Sequence, residues 1–157
     1  MMTPEDLTPT EHLALDAAIT RALSAWREHG RTGIAAAIVF RDTIVTTAEN
    51  QVHQDHDPTQ HAEIVAIAKA AEVLSPQELS TCTLISTLQP CEMCLSAIRF
   101  TGIGRIVFAA RQGSVAAKYF VFPKLTIDDF HAAGTPFQYF GGIREDEVIH
   151  LYATGEE

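Results

Sequence analysis

The chain is poor in cysteine, in positive charge and in long apolar runs, and each shortage excludes something. Three cysteines, an odd number, do not make a disulfide framework, and a chain of 157 residues does not need one. At this length a fold buries roughly 70% of the surface its unfolded chain exposes, enough for a self-sufficient core. No apolar run approaches the ~20 residues that span a bilayer. Lys and Arg total 11 against 20 Asp and Glu, a formal charge of −9, which argues against a general role on a nucleic-acid backbone. Met1 to Thr10 is polar and lacks the basic start and apolar middle of a secretory leader, so the expected location is the cytoplasm. What is present is globular: 46% hydrophobic and 20% charged residues, with no internal repeat and no low-complexity linker. A single domain over residues 1–157 is expected.

The element pattern starts clearly. Thr8-Pro9-Thr10-Glu11 is a capping-box sequence with proline at the first helical position. Leu15, Ala18, Ile19, Ala22 and Trp26 then recur at helical spacing, which places Trp26 in the core, and Gly30 suits the stop. Ile34 to Phe40 and Thr43 to Thr47 read as a hairpin around Arg41-Asp42, and Ala48 to Gln60 as a loop. Asp57-Pro58 predicts the cap and first turn of a second helix running to about Leu74. Cys82 to Leu88 reads as a buried strand, Cys91 to Phe100 as a helix and Arg105 to Ala109 as a strand. Thr126 to Ala133 predicts a short helix, Phe137 to Phe140 an edge strand, and Ile143 to Tyr152 a final helix. This order implies a layered α/β sandwich whose later strands run parallel through helical crossovers.

Two short stretches carry chemistry: His61-Ala62-Glu63 and Pro90-Cys91-Glu92-Met93-Cys94, each expected at a helix N-terminus. Cys91 and Cys94 share one helix face, and the positive helix end favours their thiolates. Two thiolates and a neutral imidazole form a soft donor set suited to Zn²⁺, whose charge the thiolates balance. Three protein ligands leave the fourth position open, the catalytic arrangement, and Glu63 is the local base. A structural zinc site would instead draw a fourth ligand from His53, His56 or Cys82, and a lone Cys-x-x-Cys is also compatible with redox chemistry. Otherwise Cys82 reads as a buried strand thiol.

His61-Ala62-Glu63 followed by Pro90-Cys91-Glu92-Met93-Cys94 resembles the cytidine deaminase superfamily. The longer stretch Asp57 to Glu63 is similar to the branch of tRNA adenosine deaminases, guanine deaminases and fungal-type cytosine deaminases. The resemblance covers the first helix to about Ala110. It implies a three-layer α/β/α sandwich around a five-stranded mixed sheet, a homodimer, one Zn²⁺ per chain, and hydrolytic removal of an exocyclic amine as ammonia. His61, Cys91 and Cys94 would bind the zinc, and Glu63 would carry the proton from water to a ring nitrogen and then to the leaving amine. Backbone N–H groups near Cys91 and at Ala62 would orient the reacting oxygen or a substrate carbonyl. Asn50 stands where purine-acting relatives place a substrate-contacting Asn, and its amide both donates and accepts. Its other reading is a loop cap.

The expected substrate is a small nucleobase or nucleoside of guanine or cytosine type, with adenosine editing in tRNA as the alternative and a non-catalytic zinc-stabilised module as the second. Asp128 to Glu157 holds seven acidic residues and only Arg144 as a base, unlike the basic tail of tRNA-acting relatives, so a nucleic-acid partner is not expected. Gln89 also replaces their usual Glu. Against this, Met93 to Ile127 lacks acidic residues and carries Arg99, Arg105, Arg111, Lys118 and Lys124, either a basic patch or scattered solvated charges. Eight of the twelve aromatic residues follow Ala117. Family C-terminal segments close the pocket, so 119–157 is expected to form a lid or dimer element, with Phe120 or Phe122 at the pocket mouth. Val115 to Pro123 contains no acid matching the one guanine deaminases use.

Overall fold

The computed structural model describes residues 3–155. Met1, Met2, Glu156 and Glu157 lie outside the described residues, and with them two of the seven acidic residues of the C-terminal stretch. Helix α1 (Pro9–His29) begins at Thr8, whose hydroxyl accepts from the Glu11 amide while the Glu11 carboxylate accepts from the Thr8 amide. It ends on Gly30 in the left-handed region, at φ 60°. Its inward stripe is Ala14, Leu15, Ala18, Ile19, Ala22 and Ala25. Trp26 is not core: Ala25 takes the inward position in the last turn and Trp26 beside it stays 39% exposed.

The hairpin is present as β1 (Ala35–Phe40) and β2 (Thr43–Glu49), turned at Arg41 with φ 54°. The following polar stretch is more than a loop. The Asn50 side-chain oxygen accepts from the Val52 amide at 2.9 Å, starting one helical turn, α2 (Val52–Asp55). Asp57 does not cap a helix; its carboxylate folds a turn by accepting from the Thr59 amide and hydroxyl at 2.9 and 2.7 Å. Helix α3 (Ala62–Ala71) begins only at His61. A short α4 (Pro76–Ser80), with a complete Ser75–Glu78 capping box, precedes β3 (Thr83–Leu88). Then come α5 (Glu92–Thr101), β4 (Arg105–Ala110), α6 (Ile127–Ala133) and β5 (Gln138–Phe140). The final stretch is not one helix. Arg144 adopts φ 57° and breaks it, leaving a 3₁₀ turn and a single α-turn, α7 (Ile149–Tyr152).

The five strands form one mixed sheet in the order β2-β1-β3-β4-β5. β1 is antiparallel to β2 and β3, whereas β3, β4 and β5 are parallel. The chain is the three-layer sandwich its motifs imply. One face packs Ala35, Ala37, Val39, Ile85 and Val107 against α1 and α7, and the other packs Ala36, Ile38, Leu84, Ile106 and Phe108 against α3, α5 and α6. β3 is buried along its whole length because both faces are covered. Among the described residues no helix is long and apolar enough to cross a membrane.

Register decides where a site forms. Ala35 faces Glu49, Ala36 faces Ser86 and Leu88 faces Ala110. The start of β1 and the ends of β2, β3 and β4 therefore lie together at one edge of the sheet. The loops leaving that edge hold Ile34, Asn50, Cys91 and residues 111–125.

Candidate metal centre and active site

His61 and Cys91 occupy the N-cap positions of α3 and α5, and neither side chain caps its helix. Imidazole and thiol are poor caps, so both are free to turn toward a common point. Cys94, one turn into α5, completes the set. His61 Nδ1 lies 3.5 Å from Cys91 Sγ and 3.6 Å from Cys94 Sγ, and the three ligand atoms fall within 4.8 Å of one another. A zinc ion with Zn–S of about 2.3 Å and Zn–N of about 2.0–2.1 Å at the tetrahedral angle separates sulfur from nitrogen by roughly 3.6 Å. The donor set and its spacing fit zinc. No fourth His, Cys, Asp or Glu joins the cluster among the described residues. His53 lines the cavity mouth outside it. Cys82 is buried elsewhere, donates to the Glu78 carbonyl at 3.4 Å, and has its thiol pushed up to about 11 by burial.

The electrostatics are those of a site built to concentrate negative charge. Cys91 is lowered to about 4, first by the hydrogen bond from Cys94 and then by His61 and the Cys94 backbone N–H, against its burial. Cys94 is raised because it donates that bond and is buried, a direction that a divalent cation between the sulfurs reverses. The hydrogen bond with Cys91 raises His61. Glu63 is 3% exposed and its carboxyl is raised, above all by burial and next by the Cys91 charge. Its Oε1 accepts from Ser86 Oγ at 3.2 Å, and its Oε2 accepts from Cys94 Sγ at 3.5 Å. His61 and Glu63, two apart, converge only because His61 sits just outside the helix and Glu63 within its first turn.

His61, Glu63 and Cys91 line a cavity of about 450 Å³, with Cys94 fully buried beneath them. Its walls include Ile34, Asn50, Ala62, Gln89, Met93, Lys118, Tyr119 and Phe122. Asn50 is the loop cap of its second reading, and it also lines the cavity. Its side-chain oxygen accepts from the Val52 amide, which fixes the side chain at the cavity wall. Phe122 stands at the mouth, 57% exposed. Phe120 does not; it is 6% exposed and packs against Cys91 and Cys94 from behind. Past the 3₁₀ turn 117–119 the chain runs extended, with Phe120 buried against the ligands and Val121 and Phe122 exposed along the cavity wall. The segment is clipped to α5 by Glu92, whose carboxylate accepts from the Phe122 amide at 3.1 Å. Sequence reasoning missed Ser86, Glu92 and Lys118. For Ser86 a signal existed: on a buried strand, a hydroxyl two residues before the Leu88–Cys91 turn must find a partner.

Residues 9–110, well over half of the chain, match the model of the cytidine and deoxycytidylate deaminase zinc-binding region. The chain belongs to this family. It is 42% identical over 83 residues to a tRNA-specific adenosine deaminase of Buchnera aphidicola subsp. Schizaphis graminum, covering 53% of this chain and 55% of that protein. It is 36% identical over 88 residues to a guanine deaminase of Bacillus subtilis, covering 55% of this chain and 56% of that one. The chain thus spans about half the length of these curated relatives. Among solved structures it is similar to one from a study of A-to-I editing by tRNA:A34 deaminases, with a TM-score of 0.73, 26% identity, and coverage of 89% of this chain and 99% of that one. Family members bind zinc in the matched region, and here His61, Cys91 and Cys94 are placed to hold it.

Proposed function

We propose that the protein is a hydrolytic deaminase that replaces an exocyclic amine on a small nitrogen heterocycle, a nucleobase free or glycosylated, with oxygen and releases ammonia. The observation that carries this reading is the juxtaposition of three ligand atoms at zinc spacing with a buried, raised carboxylate on the floor of one cavity. His61, Cys91 and Cys94 would hold a zinc ion, which when bound would supply Lewis-acid activation of water at neutral pH. Glu63 takes the proton that the attacking water gives up, delivers it to a ring nitrogen, and then helps the amine leave as ammonia. Its raised carboxyl suits it to both halves of that transfer. The N–H of Ala62 and those of the first turn of α5 carry partial positive charge and hold a substrate oxygen. The Asn50 NH₂ donates to the ring edge, and Phe122 covers the ring and excludes water. The thiols that must stay reduced to bind metal suit the cytoplasm. We read the active form as a homodimer, as the family resemblance implies.

A small substrate is supported by the fate of the basic stretch. Arg105 pairs with Glu11 at 2.7 Å, Arg111 with Glu145 at 2.8 Å, and Arg99 is spent on the carbonyls of Ile103 and Thr135. Three of the five cations are thus committed within the fold and do not form a phosphate-binding face. The second reading, adenosine editing in tRNA, is favoured by the 42% identity to the Buchnera protein. A panel of guanine, cytosine, adenine, their nucleosides and transcribed tRNA, followed by ammonia release, separates the two. Turnover confined to tRNA overturns the small-substrate reading.

A further inference from the structure

The stretch of cavity wall that follows β4 is held to the body unevenly. Its two ends meet: Gln112 Nε2 donates to the Leu125 carbonyl at 3.3 Å, thirteen positions on, and Gln89 pins Gln112 by accepting from its amide at 2.9 Å. A surface loop closed at its base in this way is a compact unit. Its first half is well anchored. The Ala116 amide donates to the Tyr152 carbonyl at 2.9 Å, and the Tyr119 ring meets Tyr152 edge-on at 5.8 Å. Phe120, 6% exposed, packs on Cys91 and Cys94.

The second half is not anchored in this manner. Val121, Phe122, Pro123 and Lys124 are all exposed. Among the described residues, one hydrogen bond ties these four to a helix or strand: the Glu92 carboxylate accepts from the Phe122 amide at 3.1 Å. The Leu125 amide closes only a local turn, onto the Phe122 carbonyl at 2.9 Å. Val121, 78% exposed, and Phe122, 57% exposed, both line the cavity. Apolar surface left in water at a cavity mouth is stabilised when a flat ring enters beneath it. The arm 121–124 therefore gains by closing, and a single tie sets where it closes.

Glu92 is well placed to be that tie. It is the first residue of α5, stands between Cys91 and Cys94 in the chain, and lines the cavity while only 8% exposed. The partial positive charge at the helix N-terminus supports a carboxylate there. The turn that carries both thiols thus also holds the arm that covers them.

We propose that Glu92 is a positioning residue: its carboxylate latches the arm 121–124 over the cavity through the Phe122 amide, and the arm swings between Phe120 and Leu125 to admit a ring and release the product. The inference rests on the deaminase reading above for what enters the cavity, and on the geometry alone for the latch.

The test joins amide hydrogen exchange of the zinc-bound protein, read by NMR, to steady-state kinetics on whichever compound of the panel turns over. Glu92→Ala speeds exchange of the Phe122 amide about tenfold and leaves the β3 and β4 amides and the zinc content unchanged. It raises KM about tenfold and lowers kcat no more than about twofold. Glu92→Gln, whose side-chain oxygen still accepts a hydrogen bond, stays within about threefold of wild type in both readouts. In a Phe122→Ala background, Glu92→Ala adds less than about twofold to KM, because the carboxylate acts through that residue. Unchanged Phe122 exchange in Glu92→Ala, a Gln variant no better than the Ala one, or additive effects of the pair overturn the proposal. A Glu92→Ala protein that sheds zinc or loosens β3 and β4 makes Glu92 a purely structural residue and overturns it too. The expected exchange pattern with no ammonia release from any aminated ring sinks the deaminase reading and leaves the latch standing. Ammonia release with no change at Phe122 does the reverse.

Discussion

Two glutamates are almost equally buried, Glu11 at 2% exposure and Glu63 at 3%, and they are used in opposite ways. Glu11 lies at the sheet edge away from the site. Arg105 grips both its oxygens, at 2.7 and 2.9 Å, the Thr83 hydroxyl donates at 2.9 Å, and the Thr8 amide completes the set. Burial alone would raise its carboxyl, but Arg105 and the other donors prevail and lower it. Glu63 accepts from one hydroxyl, one thiol and its own backbone N–H, and burial, with the Cys91 charge beside it, raises its carboxyl. A buried carboxylate that is fully partnered is structural. One left short of partners retains a free energy that a passing proton can release, and that is a property of a site.

The comparison can be broken by exchange of function. Glu63→Gln should lower turnover on the order of 10³-fold while zinc content and thermal midpoint hold or rise, because a poorly solvated charge is removed. Loss of zinc or of fold along with activity would show that Glu63 is structural after all. Glu11→Gln should cost about 3 kcal/mol in the urea midpoint, since Arg105 is left without its acid, and leave turnover per folded molecule unchanged. Ser86→Ala, which strips Glu63 of its hydroxyl partner, should reduce kcat about tenfold with KM unchanged. A KM effect alone would assign Ser86 to packing.

The two residues also separate by pH. The folded carboxyl of Glu11 is lowered, so its stabilisation is present above the unfolded value near 4.3 and is lost as pH falls through the lower folded one. Acid titration of stability should therefore steepen below about pH 4 in the wild type and flatten in Glu11→Gln. The carboxyl of Glu63 is raised, and only its ionised form accepts a proton, so the rate should fall as pH drops through that raised value while the fold is still intact. An acid limb of activity that coincides with unfolding would erase the distinction.

How far these roles can be read in advance differs for physical reasons. Helix α1 was legible because its stop and start signals are local: Thr8, Glu11 and Gly30 act on their own backbone neighbours. The metal ligands were legible because three-residue spacing on a helix and a His-x-Glu at its start limit where side chains go. Glu11 was read only as a capping residue, since its main partner lies 94 positions away. Asp57 carries the same oxygen chemistry as a helix cap, and the chain used it for a turn instead. Phe120 and Phe122 could not be told apart without knowing how the turn before them is wound.

The ligands and Glu63 occupy residues 61–94, inside the matched region that ends at Ala110, whereas Lys118, Tyr119, Val121 and Phe122 of the cavity wall come after it. Glu92 ties the later stretch to the earlier one through its bond to the Phe122 amide, and Gln89 does so by accepting from the Gln112 amide at 2.9 Å. The ligand set and part of the cavity wall thus lie on separable lengths of chain. Insertions, exchanges or drift beyond Ala110 can reshape that part of the wall without touching the ligand set.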